Sequence, residues 1–180
     1  ALAAAVANAV FGTVLAWVWP TDERSHVPQG PDAAVTAAVR IGFERTLEQD
    51  PGLGMRQLCD AACKALSPAV NDPYTAIQAV EHLSVLYRAL AARPPADVVE
   101  HAEHGLVMIP SRSFTEHLAL GVGLIRRYGA AEPTVIAALL RLLTTALEAS
   151  GHAREHRGAI TEQADLLVSA AQREIAEPAD

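Results

Sequence analysis

Between Arg45 and Thr75 the chain gathers most of the side chains that could carry chemistry: Arg45, Gln49, Asp50, Arg56, Asp60, Lys64, Ser67, Asn71, Asp72 and Thr75. Asp60 and Asp72 would serve as paired carboxylates for hydrolysis, but that chemistry needs a nucleophile or metal, and the sequence supplies neither beside them. Asn71 and Asp72 on the proline-framed loop Ser67–Pro73 have the oxygen chemistry to coordinate a cation or hydrogen-bond a small ligand. The same loop also suits a polar contact with a second copy or with an ion path. A structural reading competes and is preferred. Arg56, Asp60 and Lys64 recur every four residues, so opposite charges meet along one helix ridge, with Arg45 and Asp50 completing a network around one turn. Ser67, Asn71, Asp72 and Thr75 are cap and turn residues that satisfy backbone groups left over at two helix ends.

The rest of the catalytic inventory is thin. There is no Gly-x-Ser-x-Gly elbow, phosphate loop or Gly-x-Gly-x-x-Gly; Gly121-Val-Gly123 falls inside a helix and favours close helix packing. His101-x-x-His104 with Glu100 and Glu103, and His152-x-x-x-His156 with Glu155, have ligand-like spacing but no third or fourth ligand nearby. Both pairs are read as solvated surface, and His82 and His117 stand alone on helices. Cys59 and Cys63, four apart on one helix, are expected as buried free thiols, because a bridge there would be strained. No metal, cofactor or enzymatic activity is expected.

These residues need helices to position them. Met55, Leu58, Cys59, Ala62, Ala65 and Leu66 set a helical period over residues 53–66, which Pro68 stops. Asp72 then caps a helix with Pro73 at its first position, running to Ala92 with Ile77, Val80, Leu83, Leu86, Tyr87 and Leu90 inward. Upstream, a helix is expected from Asp32 to Thr46, and Leu47–Gly54 reads as a turn. Downstream, Asp97–His104 reads as a short helix and Leu106–Ile109 as a brief extended segment, too short for a sheet alone. Ser113 and Glu116 form a capping box for a helix that ends at Gly129. Pro133 opens the most hydrophobic helix, ending near Gly151. The last helix spans about His156 to Ile175, with Ile160, Leu167, Ala170, Ala171 and Ile175 towards the core.

Composition bounds the whole. The 180 residues suit one sizeable core, and 51% hydrophobic residues with only 4% aromatics, much of it alanine, favour helices over a sheet sandwich. A net charge of −7 argues against a nucleic-acid partner, and no Lys/Arg run points to an anionic membrane surface. Ala1–Trp19 is apolar but interrupted by Asn8 and Gly12 and followed by Pro20, so it makes no membrane span, and no basic segment precedes it to make a signal peptide. Gly12–Trp19 is the strongest strand candidate, with Trp17 and Trp19 on one face for packing, an interface or a membrane-level anchor. The chain begins without methionine and is read as a fragment or processed product.

The motifs Arg45-Thr46-x-x-Gln49-Asp50, Gly54-x-Arg56-Gln57-Leu58-x-Asp60 and Ala65-Leu66-Ser67-Pro68-x-x-Asn71-Asp72-Pro73-x-Thr75-Ala76 resemble a bacterial family of predicted membrane proteins named "domain of unknown function 2254". A looser likeness continues through Arg127-Tyr128-Gly129-Ala130 to Pro133. The resemblance implies membrane helices upstream of this chain, a membrane-associated protein, and a soluble C-terminal part on the cytoplasmic side. The expected fold is all-α: a compact helical domain of about six helices (residues 32–180) behind a short N-terminal β-element and linker (residues 1–31). The expected function is non-enzymatic, an assembly or regulatory domain, within a transport or conduction unit, that forms a homo-oligomer. The alternatives are a scaffold subunit holding a larger complex at the membrane, or an uncharacterised enzyme.

Overall fold

Pro51 opens the first helix among the described residues, α1 (Pro51–Ala65), because its fixed φ suits the first helical position and its missing N–H is not needed there. The turn expected over residues 47–54 is therefore shorter than its glycines suggested: Leu47 lies in a turn, while Pro51 to Gly54 are already helical. The computed structural model describes residues 17–19, 47, 51–93, 98–102, 105–109 and 112–175. The expected helix over residues 32–46 lies outside them. By its contacts the chain divides into two units, Ala1–Pro51 with Ala96–Arg112, and Gly52–Pro95 with Ser113–Asp180.

The second unit is all-α, built from α1, α2 (Pro73–Ala91), α3 (Phe114–Gly129), α4 (Pro133–Ala149) and α5 (Arg154–Glu174). Its core stripe on α2 runs through Ala76, Ala79, Val80, Leu83, Tyr87 and Ala91. The alanines let neighbouring helices approach, which moves the stripe away from Leu86; that side chain, expected inward, is exposed. α2 packs most extensively on α4, and α3 and α4 both pack on α5. Leu118, Val122 and Ile125 from α3, Val135, Leu139 and Leu142 from α4, and Ile160 and Leu167 from α5 complete the core. Truncating one such fully buried residue, Leu83→Ala for example, removes about 2–5 kcal/mol.

Glycine does different work at the two ends of α3 and α4. α3 ends at Gly129 as expected, but without a left-handed cap: Ala130, which follows, keeps right-handed geometry (φ −64°). Gly129 is glycine because a Cβ there would sit 2.7 Å from Val135 Cγ1 and 3.2 Å from Leu66 Cδ1. The left-handed stop is Gly151, with φ +54° just beyond α4.

The first unit contains a three-stranded antiparallel sheet in the order β1-β3-β2, from β1 (Trp17–Trp19), β2 (Val98–Ala102) and β3 (Gly105–Ile109). Trp17 pairs with Met108 and Trp19 with Leu106, while Val98 pairs with Ile109 and Ala102 with Gly105. Val98–Ala102, within the short helix expected over residues 97–104, is thus a strand. Val98 and Val99 are β-branched, and only two residues separate this segment from β3, so a hairpin partner outweighs local helix preference. The extended segment at 106–109, too short for a sheet by itself, is the central strand of three.

Candidate functional site

The ridge of α1 carries one ion pair. Arg56 Nε donates to both carboxylate oxygens of Asp60, at 3.0 and 3.1 Å. The hydrogen bond and charge of Asp60 raise the Arg56 pKa. Both side chains stand in solvent, where such pairs add little stability. Lys64 is exposed and makes no ion pair with a described residue. Arg45, Gln49 and Asp50 lie outside the described residues. The described part of the expected charge network is therefore a single surface pair.

The loop that follows is a closed corner. Ser67 Oγ donates to the Lys64 carbonyl at 2.7 Å, and the Ser67 carbonyl accepts from Val70 N and Asn71 N at 3.0 and 2.9 Å. Asn71 takes φ +47°, in the left-handed region that asparagine tolerates better than most residues, and the chain turns there. Asp72 N then reaches back to the Ala65 carbonyl at 2.8 Å. Asp72 Oδ1 accepts from Thr75 N at 3.1 Å and Oδ2 from Thr75 Oγ1, which makes Asp72 the N-cap of α2. Those hydrogen bonds hold the Asp72 carboxyl below its usual range. Ser67, Asn71, Asp72 and Thr75 thus come together, but their main-chain and side-chain bonds run to one another. The Asn71 side chain alone makes no hydrogen bond to a described residue.

The opposite end of the helical unit holds polar groups whose long-range contacts sequence reasoning did not foresee. Tyr87 is buried in the core stripe, and its hydroxyl donates to the His117 carbonyl at 2.7 Å. Its ring meets Phe114 edge-on with centroids 6.5 Å apart. Phe114 in turn faces His156, at 4.4 Å between ring centres. His156 was read as solvated surface, yet it is 2% exposed, with Nδ1 3.2 Å from the Ala91 carbonyl. The charged residues of α5 hide this: Arg154, Glu155 and Arg157 surround His156 in sequence but lie on other faces of the helix. The signal was the period 156, 160, 163, 167, which places His156 and Gln163 in line with Ile160 and Leu167. Gln163 Oε1 and Arg126 Nε are buried without a hydrogen-bond partner among the described residues. Gly121 completes this end: a Cβ there would lie 2.1 Å from Tyr87 Oη, whereas at Gly123 the nearest atom would be 4.0 Å away. Close packing therefore explains the first glycine of Gly-Val-Gly and not the second.

Cys59 is buried and Cys63 half-buried, and both are free thiols. Burial pushes the Cys59 thiol up to about 12, and raises Cys63 as well, so neither is poised as a nucleophile. Among the described residues no three His, Cys, Asp or Glu side chains gather as a metal site, and no helix is long and apolar enough to cross a membrane. His152 is exposed, and the side chains at 100–104 fall outside the described ones. Trp17 is 44% exposed on β1, two residues from Trp19.

Known proteins sharpen this picture without supplying a reaction. An uncharacterized protein of Mycobacterium bovis is 44% identical over 175 residues, covering 94% of this chain and 33% of the relative. Uncharacterized proteins from two strains of Mycobacterium tuberculosis match with the same 44% identity and the same coverage. The chain thus spans about a third of the length of the curated relatives it matches. No solved structure matches it. The family model described as "Predicted membrane protein" matches residues 8–145, a stretch that takes in the 65–75 corner and all of α3. With most of its length inside that match, the chain belongs to the predicted membrane protein family known as domain of unknown function 2254.

Proposed function

We propose that this chain is a non-enzymatic assembly domain of a membrane protein, using rigid helices to present apolar surface to a protein partner. One observation carries the reading: large apolar side chains stand in solvent on well-formed helices, led by Tyr74 at 79% and Val85 at 67% exposure. Asp72, which invited both a ligand and a hydrolytic reading, is instead bonded to Thr75 as the cap of α2, and Asp60 pairs with Arg56 on the ridge of α1. Burial also keeps the Cys59 thiol protonated at neutral pH, which favours packing over covalent chemistry there.

Sedimentation equilibrium of the chain over a wide concentration range tests the proposal. Self-association that strengthens with concentration is the expected result. A monodisperse monomer at the highest concentration would overturn it in its homo-oligomeric form.

A further inference from the structure

Along the line where α2 and α4 meet runs a groove of about 690 Å³, walled by Val85, Arg88 and Ala89 on one side and Thr145 and Glu148 on the other. The alanines and the threonine keep it shallow and smooth, so it accepts a ridge of side chains from another helix. Val85 rises from one wall into solvent. Arg88 and Glu148 are exposed, and neither forms an ion pair with a described residue.

Charge decides which partner fits. Two copies of a chain carrying −7 repel overall, so a contact between them is favoured where charge is locally balanced. The outer surface of α5 is the wrong place, since Arg154, Glu155, Arg157, Glu162 and Asp165 are all solvated there. α4 carries only Arg141 and Glu148 as charged residues, and the groove holds one cation and one anion on opposite walls. A twofold axis converts that arrangement into complementarity: Arg88 meets Glu148 of the partner subunit, and by symmetry the same pair forms again. The exposed valine of each copy then packs against the small residues of the facing groove.

From this we infer that the α2–α4 groove is an isologous interface joining two copies of this chain. The inference rests on the assembly reading above and names its surface. Sedimentation equilibrium on the full 180-residue chain tests it with four proteins: wild type, Arg88→Glu, Glu148→Arg and the double swap. Each single swap sets like charges against each other and should weaken the dimer by about tenfold or more, while the double swap restores it. Thermal melting of each variant shows that the exposed substitutions leave the fold intact. Wild-type dimers that no swap weakens would overturn this surface and leave the assembly reading standing. A wild-type monomer would overturn this surface together with the homo-oligomeric form of the assembly reading, and weakening without rescue would overturn the pairing.

Discussion

The two ends of the helical unit use polar side chains in opposite ways. At the α1–α2 corner, Ser67, Asp72 and Thr75 bond to groups three residues away, in contact with solvent. At the other end Tyr87 reaches 30 residues along the chain to His117, and His156 reaches 65 residues to Ala91. A bond of the first kind fixes the direction in which the chain leaves a helix. The second kind, in a dry interior, ties helices together and is costly to leave unmade. A dense run of polar residues therefore marked a corner, and isolated polar residues in apolar stripes marked the connections.

The contrast breaks most sharply at Gly121. Gly121→Ala should cost about 3 kcal/mol, because the new methyl cannot share space with the Tyr87 hydroxyl. Gly123→Ala, where the new methyl would make only an ordinary contact with the Arg126 side chain, should instead stabilise by up to about 1 kcal/mol through helix propensity. Chemical denaturation of both variants checks this; equal effects would mean that the close approach of α2 and α3 is absent.

Titration separates the ends in a second way. Cys59 is raised from 9.0 to about 12 and Tyr87 is raised too, both first by burial, so the unfolded chain loses these protons at lower pH than the folded one. Their contribution is complete below pH 9 and should fade as pH climbs from 9 towards 12. Asp72 is shifted the other way, so its contribution is present above the ordinary value of 3.8 and should fade as pH falls below it. Melting temperature against pH reads both limbs. Cys59→Ala should flatten the alkaline limb and leave the acid limb unchanged.

Smaller effects sharpen the picture. Tyr87→Phe keeps the ring and removes only the bond to His117, so it should cost about 1–2 kcal/mol in denaturant titration. Asp72→Ala should lower the melting temperature by a few degrees through loss of the cap. Arg56→Ala should leave it unchanged, since the exposed pair with Asp60 adds almost nothing. An Asp72→Ala protein that melts like wild type would remove the capping argument and free that aspartate for another task.

What was legible in the sequence followed how local its cause was. The caps at Asp72 and at Ser113 with Glu116, and the proline starts at Pro73 and Pro133, depend on neighbours within a turn, and all are present. The all-α character followed from alanine-rich periodicity. Features that need a distant partner were not legible. β2 depends on β3 for its hydrogen bonds, Gly129 on Val135 and Leu66 for its small size, and His156 on Ala91 and Phe114 for its burial. Of the candidate site, Ser67, Asp72 and Thr75 were gathered correctly as cap and turn residues, and Tyr87 was placed inward, though its bond to His117 was not foreseen; His156 was misread as surface and Gln163 passed over, because a lone polar residue in an apolar stripe looks ordinary from composition alone.

The hydroxyl bond from Tyr87 to the start of α3 has one more consequence, for the entropy of the connection. It brings the last turns of α2 beside the first turn of α3, so whatever peptide joins residues 93 and 113 leaves and returns at the same end of the helical unit. Loop closure grows only logarithmically with length, about 0.6 kcal/mol for each doubling. The helical unit is thus a permissive host, able to carry an insertion of almost any size between those two residues while its own folding free energy barely changes.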